Sequence, residues 1–127
     1  MKIELKNNFT FAVELPATSY AAGVHTTGVI DFSDAPSLMY LVEVGNINTA
    51  GTVNFKFQYS ADGTTFTDEP SGLNDTAITQ ISTNGNAKLY VTSPRAEFGR
   101  GIMTVGTNAV TAAVISGKGP LRFVDEG

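Results

Sequence analysis

Residues 52–67 read TVNFKFQYSADGTTFT. Val53, Phe55, Phe57 and Tyr59 fall on one side of an extended chain, and Asn54, Lys56 and Gln58 on the other. Strand side chains alternate between faces, so this run predicts a strand with one buried and one wet face. Asp62-Gly63 follows, a dipeptide suited to reversing a strand, and a second run carries Phe66. The stretch therefore predicts an antiparallel hairpin in which Asp62 caps the turn and Gly63 supplies a positive φ. A two-residue loop sets Phe66 opposite Tyr59, and a four-residue loop sets it opposite Phe57, both on the apolar face. A three-residue loop with Gly63 in a bulge would set it across from Gln58, so burial of Phe66 favours an even loop.

The same two-residue rhythm runs outward from the hairpin. On the N-terminal side, Leu38 to Val44 (LMYLVEV) is nearly continuous in apolar side chains, as in a strand covered on both faces and central in its sheet. Before it, Val24 to Phe32 predicts one strand, with a turn at Ser33-Asp34-Ala35-Pro36. Ile3, Leu5, Phe9, Phe11, Val13 and Leu15 form an odd-numbered apolar series broken by Asn7. That series predicts a long strand, or two strands bent at Asn7-Asn8, ended by Pro16. On the C-terminal side, Thr76–Thr83 and Ala87–Thr92 flank Asn84-Gly85 as a second hairpin of type I′. Phe98–Val105 and Ala109–Ile115 form a third pair around Gly106-Thr107-Asn108, and Leu121–Val124 is a short last strand. Eight to nine strands with regular turn signals predict an all-β chain: an antiparallel β-sandwich, jelly-roll-like, as a single domain over 1–127. Residues 1–15 are either an ordinary edge strand or an arm engaged with a neighbouring subunit.

Composition bounds the function. The chain has 127 residues, 42% of them hydrophobic and 16% charged, a low charge share for a globular domain. Thr, Asn, Ser and Gly stand in for Lys and Glu, as suits a pleated surface with many turns. Twelve acidic residues against eight basic ones give a net charge of −4, which disfavours nucleic acid as a partner. There is no cysteine, hence no disulfide framework and no thiolate metal site. No segment approaches the ~20 apolar residues of a membrane helix, so a soluble chain with no membrane partner is expected. Glu4 and Glu14 interrupt an N-terminal run too short and too alternating for a signal peptide, and it is read as part of the fold.

Catalytic residue types are scarce. His25 is the single histidine, and no G-x-S-x-G elbow accompanies it, so it is read as a hydrogen-bonded or solvated strand residue. Asp31 and Asp34, and Asp68, Glu69 and Asp75, lie near one another in sequence, the only acids placed for glycosidase-like chemistry. With no Trp for a sugar platform, and with Phe and Tyr on core positions, these acids are read as solvated turn residues. No D-x-D-x-D-G calcium loop occurs. No catalytic residue, metal ligand or cofactor is assigned, and no enzyme activity is expected. Partner-interface candidates are Arg95 and Arg100, which flank Phe98, and Phe9 and Phe11 in the N-terminal series.

The segments TVNFKFQYSADGTTFTDEP, TAITQIST and TVGTNAVTAAVISG together resemble small virion proteins of tailed bacteriophages. The similarity spans roughly 38–117 and is greatest to the β-sandwich or jelly-roll cement (decoration) proteins of phage heads. The resemblance implies a non-enzymatic protein on the capsid exterior of the virion. It would bind the major capsid protein, self-associate as a dimer or trimer, and stabilise the head. The hairpin motif also occurs in phage tail and fibre proteins and in secreted β-sandwich modules; the alternatives are a phage tail or fibre structural protein and a carbohydrate-binding β-sandwich module.

Overall fold

The computed structural model describes residues 2–4, 10–32, 37–47, 50–119 and 122–124. Their regular elements are all strands: β1 Lys2–Glu4, β2 Thr10–Tyr20, β3 Gly23–Thr26, β4 Ile30–Asp31, β5 Ser37–Ile47, β6 Thr52–Ser60, β7 Thr67–Asp68, β8 Gly85–Val91, β9 Phe98–Gly106, β10 Val110–Gly119 and β11 Arg122–Val124. Nine of them form the two antiparallel sheets of a β-sandwich. One sheet runs β2-β10-β5-β8; the other runs β3-β9-β6-β7, with β4 also on β9. The termini add a small ribbon, β1 against β11.

The topology follows from one long hairpin wound on itself. Lys2 pairs with Val124, Thr10 with Lys118, Thr26 with Ile102, Leu38 with Val91 and Tyr59 with Thr67. All these partners lie symmetrically about residues 63–65, so the Asp62-Gly63 turn is the tip of the whole chain. Successive arms pass alternately to one sheet and the other, and winding then brings β10 beside β5 and β9 beside β6. Nested pairs distributed over two sheets in this way make a jelly roll.

Alternation selects the core. Leu38, Tyr40, Val42 and Val44 of β5, Leu89 and Val91 of β8, and Val110, Ala112 and Val114 of β10 face Val53, Phe55 and Phe57 of β6 and Met103 and Val105 of β9. The Tyr40 ring crosses the interior to lie 5.0 Å from that of Phe55 and 6.3 Å from that of Phe57, centroid to centroid. Each fully buried side chain of this size contributes about 1.5–3 kcal/mol. The rings of β6 are seated by two core-facing glycines of β9. A Cβ on Gly101 would overlap Phe55, and one on Gly99 would overlap Phe57 and lie 3.0 Å from Phe32. Glycine inside a strand marks such a close approach.

The sequence expectations need several corrections. β7 pairs Tyr59 with Thr67 and Gln58 with Asp68, which leaves the odd loop Ala61–Thr65 between Ser60 and Phe66. Phe66 therefore leaves the core face, and its ring lies 4.0 Å beneath the Arg100 guanidinium. Hydrogen bonding within the turn outweighed burial of the ring. Asn84-Gly85 is not a type I′ hairpin turn: Gly85 is not among the positive-φ glycines. Residues 76–81 instead bond to β6, through Ile78 N–H to Phe55 O and reciprocal Val53 and Ile81 bonds, while β8 crosses to the other sheet. Likewise β9 and β10 lie in different sheets, and Gly106-Thr107-Asn108 is a crossing with Thr107 at φ 68. Pro16 does not end its strand; β2 runs on to Tyr20 as an edge, with Leu15 on Val114 and Thr18 on Ala112, so Pro16 and Ala17 form a bulge. An edge bulge needs no donor from proline. Val24–Phe32 is split into β3 and β4, both on β9, with Thr27 between them accepting the Gly101 N–H on its hydroxyl. β5 is interior to its sheet as expected, but its outer face keeps Met39 and Leu41 only partly covered. Asn7-Asn8 and the turn at 33–36 lie outside the described residues.

Candidate interaction surfaces

The loop acids hold loops. Asp62 Oδ1 accepts the N–H groups of Thr64 and Thr65 at 2.9 Å each and the Ser60 hydroxyl at 2.9 Å. Those backbone donors, Thr65 first, hold its carboxyl well below the usual carboxylate range. Ser60 Oγ in turn accepts from Gly63 N at 2.9 Å, and Gly63 takes φ 81. Asp68 accepts from the Gln58 amide at 2.8 Å and pairs with Lys56 at 3.0 Å, and these two, in that order, lower its pKa. Asp75 accepts the Tyr90 N–H, and its own N–H bonds Tyr90 O, so residue 75 occupies the free edge of β8 at that point. Asp31 lies exposed in β4, and Asp34 is outside the described residues.

Glu69 is a buried acid. Its Oε2 meets Arg95 Nε at 3.0 Å and the Asn74 amide at 3.3 Å. Asn74 also bonds the backbone of Thr92 and Ser93, so this cluster pins the 69–76 loop to the end of β8. A second polar cluster lies between the sheets, where Ser116 Oγ donates to Glu14 at 2.8 Å. Burial pushes the Tyr40 phenol strongly up; the neighbouring Thr27 hydroxyl is engaged with Gly28 O and Gly101 N. His25 sits in edge strand β3, its Nε2 2.8 Å from Ala21 O and its ring edge-on to Tyr20.

The four interface candidates do not converge. Arg95 is committed to Glu69 and lies over the Tyr59 ring at 5.9 Å. Arg100 donates to Gln58 at 2.9 Å and stacks on Phe66, on the outer face of the β9-β6 sheet. Phe11 lies on the outer face of the opposite sheet and is 54% exposed, while Phe9 is outside the described residues.

That opposite sheet has an outer surface that sequence reasoning missed. Register places Phe11, Gly117, Met39 and Tyr90 in one row and Val13, Ile115, Leu41 and Lys88 in the next. The third row is Ala113, Glu43 and Asn86. From this row onward the surface sinks into a hollow of about 400 Å³, lined by the row itself and by Ala17, Gly45, Gly85 and Thr111. Half of the face is thus a ridge of large apolar side chains, and half a hollow among small residues with Glu43 and Asn86 on its wall. The near-continuous apolar run of LMYLVEV was its trace in the sequence. Among the residues whose burial is described, Phe11 is the one exposed aromatic ring, so they form no coplanar pair of exposed rings for a sugar.

Neither a known protein family nor a curated protein matches the chain by sequence. Its fold is similar to that of the SPBc2 prophage-derived protein YomS, with a TM-score of 0.50 and 11% identity, covering 93% of this chain and 94% of that one. A disulfide-linked pilus protein of Bacillus endospore appendages is also similar, with a TM-score of 0.41 and 13% identity over 96% of this chain and 98% of its own.

Proposed function

We propose that this chain is a non-enzymatic structural protein of a bacteriophage virion that binds the outer surface of the capsid and stabilises the head. The observation that carries this reading is the end-to-end correspondence of its jelly roll with a prophage-derived protein, with 93% of one chain covering 94% of the other. The motif resemblance of residues 52–70 and 104–117 to phage head proteins points the same way. Polar loop groups here are spent on fixing loops, as the Asp62 turn and the Glu69–Arg95–Asn74 cluster illustrate. Such a surface suits rigid docking on a protein lattice.

The mechanism is linkage. A protein that binds the assembled shell and not its free subunits stabilises the shell by mass action, by about 2.7 kcal/mol per site at a hundredfold excess over Kd. Repetition of sites over the lattice multiplies that effect. Purified protein added to expanded capsids lacking it should bind at stoichiometric occupancy and raise their disruption temperature. Absence of binding would defeat the reading, and electron microscopy of virions showing the protein on the tail would move it to the fibre alternative.

A further inference from the structure

We propose that the outer face of the β2-β10-β5-β8 sheet binds a second copy of this chain, face to face about a two-fold axis. The inference concerns the free protein and does not depend on the capsid reading. The axis would run across the strands, between the row Val13, Ile115, Leu41, Lys88 and the row Ala113, Glu43, Asn86.

Two features of the face are complementary to each other under that rotation. The first is shape. A two-fold axis in this position carries the ridge of Phe11, Val13, Ile115 and Leu41 over the 400 Å³ hollow of the other copy, which is floored by Ala17, Gly45 and Ala113 and walled by Glu43 and Asn86, and the reverse. An isologous contact requires such self-complementarity. The second is charge. Glu43 and Lys88 are the charged residues of these three rows, both exposed, on neighbouring strands and in adjacent rows. The rotation exchanges those two rows, so Lys88 of each copy comes over the Glu43 row of its mate.

Val13 is 65% exposed and Phe11 54%, so apolar area remains to be covered. Four strands at ~4.8 Å spacing and about eight residues of length give a face of roughly 500 Å², somewhat below the ~800 Å² per partner of a standard interface. A reversible dimer in the micromolar range is expected rather than an obligate one.

Sedimentation of the 13.4 kDa chain tests this across a concentration series from roughly 1 to 200 µM. The mass should rise to that of a dimer. Glu43→Lys alone and Lys88→Glu alone should each weaken association at least tenfold, while an equimolar mixture of the two variants should associate at least as tightly as the wild type. Both changes lie at exposed positions, and matching circular dichroism and unfolding midpoints verify the folds. Phe11→Ser gives an independent readout, again an expected loss of tenfold or more. A wild type that stays monomeric at the highest concentration overturns the proposal. So does a mixture that associates no better than its components, or a trimer insensitive to all three changes.

Discussion

Replacing Gly101 by alanine puts the packing of the β6–β9 pair to a direct test. In most strands the exchange is favourable by roughly 0.5–1 kcal/mol, because glycine loses more backbone freedom on folding. Gly101 has no positive φ, so the backbone itself would accept alanine. The obstacle is Phe55: the new Cβ would overlap its Cζ and lie 2.8 and 2.9 Å from Cε2 and Cε1. That ring is 1% exposed and held by Tyr40 on the opposite sheet, so it has little room to turn away. Overpacking of this kind costs about 1–3 kcal/mol, and a clash with a closed-in ring belongs at the upper end. Subtracting the backbone gain leaves a net loss of about 2 kcal/mol, or roughly 8 °C in Tm. Equilibrium denaturation read by near-UV circular dichroism measures it. Combining Gly101→Ala with Phe55→Leu should recover at least ~1 kcal/mol relative to the sum of the single changes, since the two side chains compete for one volume. As a control in dilute protein, Gly45→Ala, where an added Cβ meets nothing within 4 Å, should be neutral or mildly stabilising. A Gly101→Ala variant as stable as the wild type, or strict additivity in the double variant, would refute the reasoning.

Two further outcomes follow from the polar clusters. Asp62 has a folded pKa below its unfolded value, so its contribution is present above the unfolded carboxylate range and lost as pH falls through the folded pKa. Asp62→Ala should therefore lower the denaturation midpoint at pH 7, with the gap to the wild type closing as the solution is acidified toward and below pH ~4. Arg95→Met leaves the buried Glu69 carboxylate without its cation. About 2–4 kcal/mol should be lost, below the fully buried case because Arg95 remains 32% exposed, and Glu69→Gln added to it should restore part of the loss.

The sequence by itself determined the class, the buried face of β6 and the tip. Alternation in Val53, Phe55, Phe57 and Tyr59 placed one face of β6 in the core, because a pleated chain has no other way to bury every second side chain. Turn chemistry at Asp62-Gly63 located the reversal about which the whole chain pairs. The interior place of β5 was legible from its near-continuous apolar run.

Only the tertiary structure decided which strands are neighbours, and what each outward face meets. Asn84-Gly85 and Gly106-Asn108 look locally like hairpin turns, yet both carry the chain from one sheet to the other. Local pattern cannot tell a turn within a sheet from a crossing between sheets, since both reverse direction and both start a new alternation. Phe66 shows the same limit: the hydrogen bonds of Ser60 and Asp62 lengthen the loop to an odd count, and one residue of register turns a core ring into a surface ring under Arg100. Arg95 and Arg100 read as free cations in sequence, and partners distant in the chain, Glu69 and Gln58, engaged both. The apolar outer face of β5 and β10 was read in sequence as a covered face from the near-continuous run of 38–44, and register across four strands turned it into a surface.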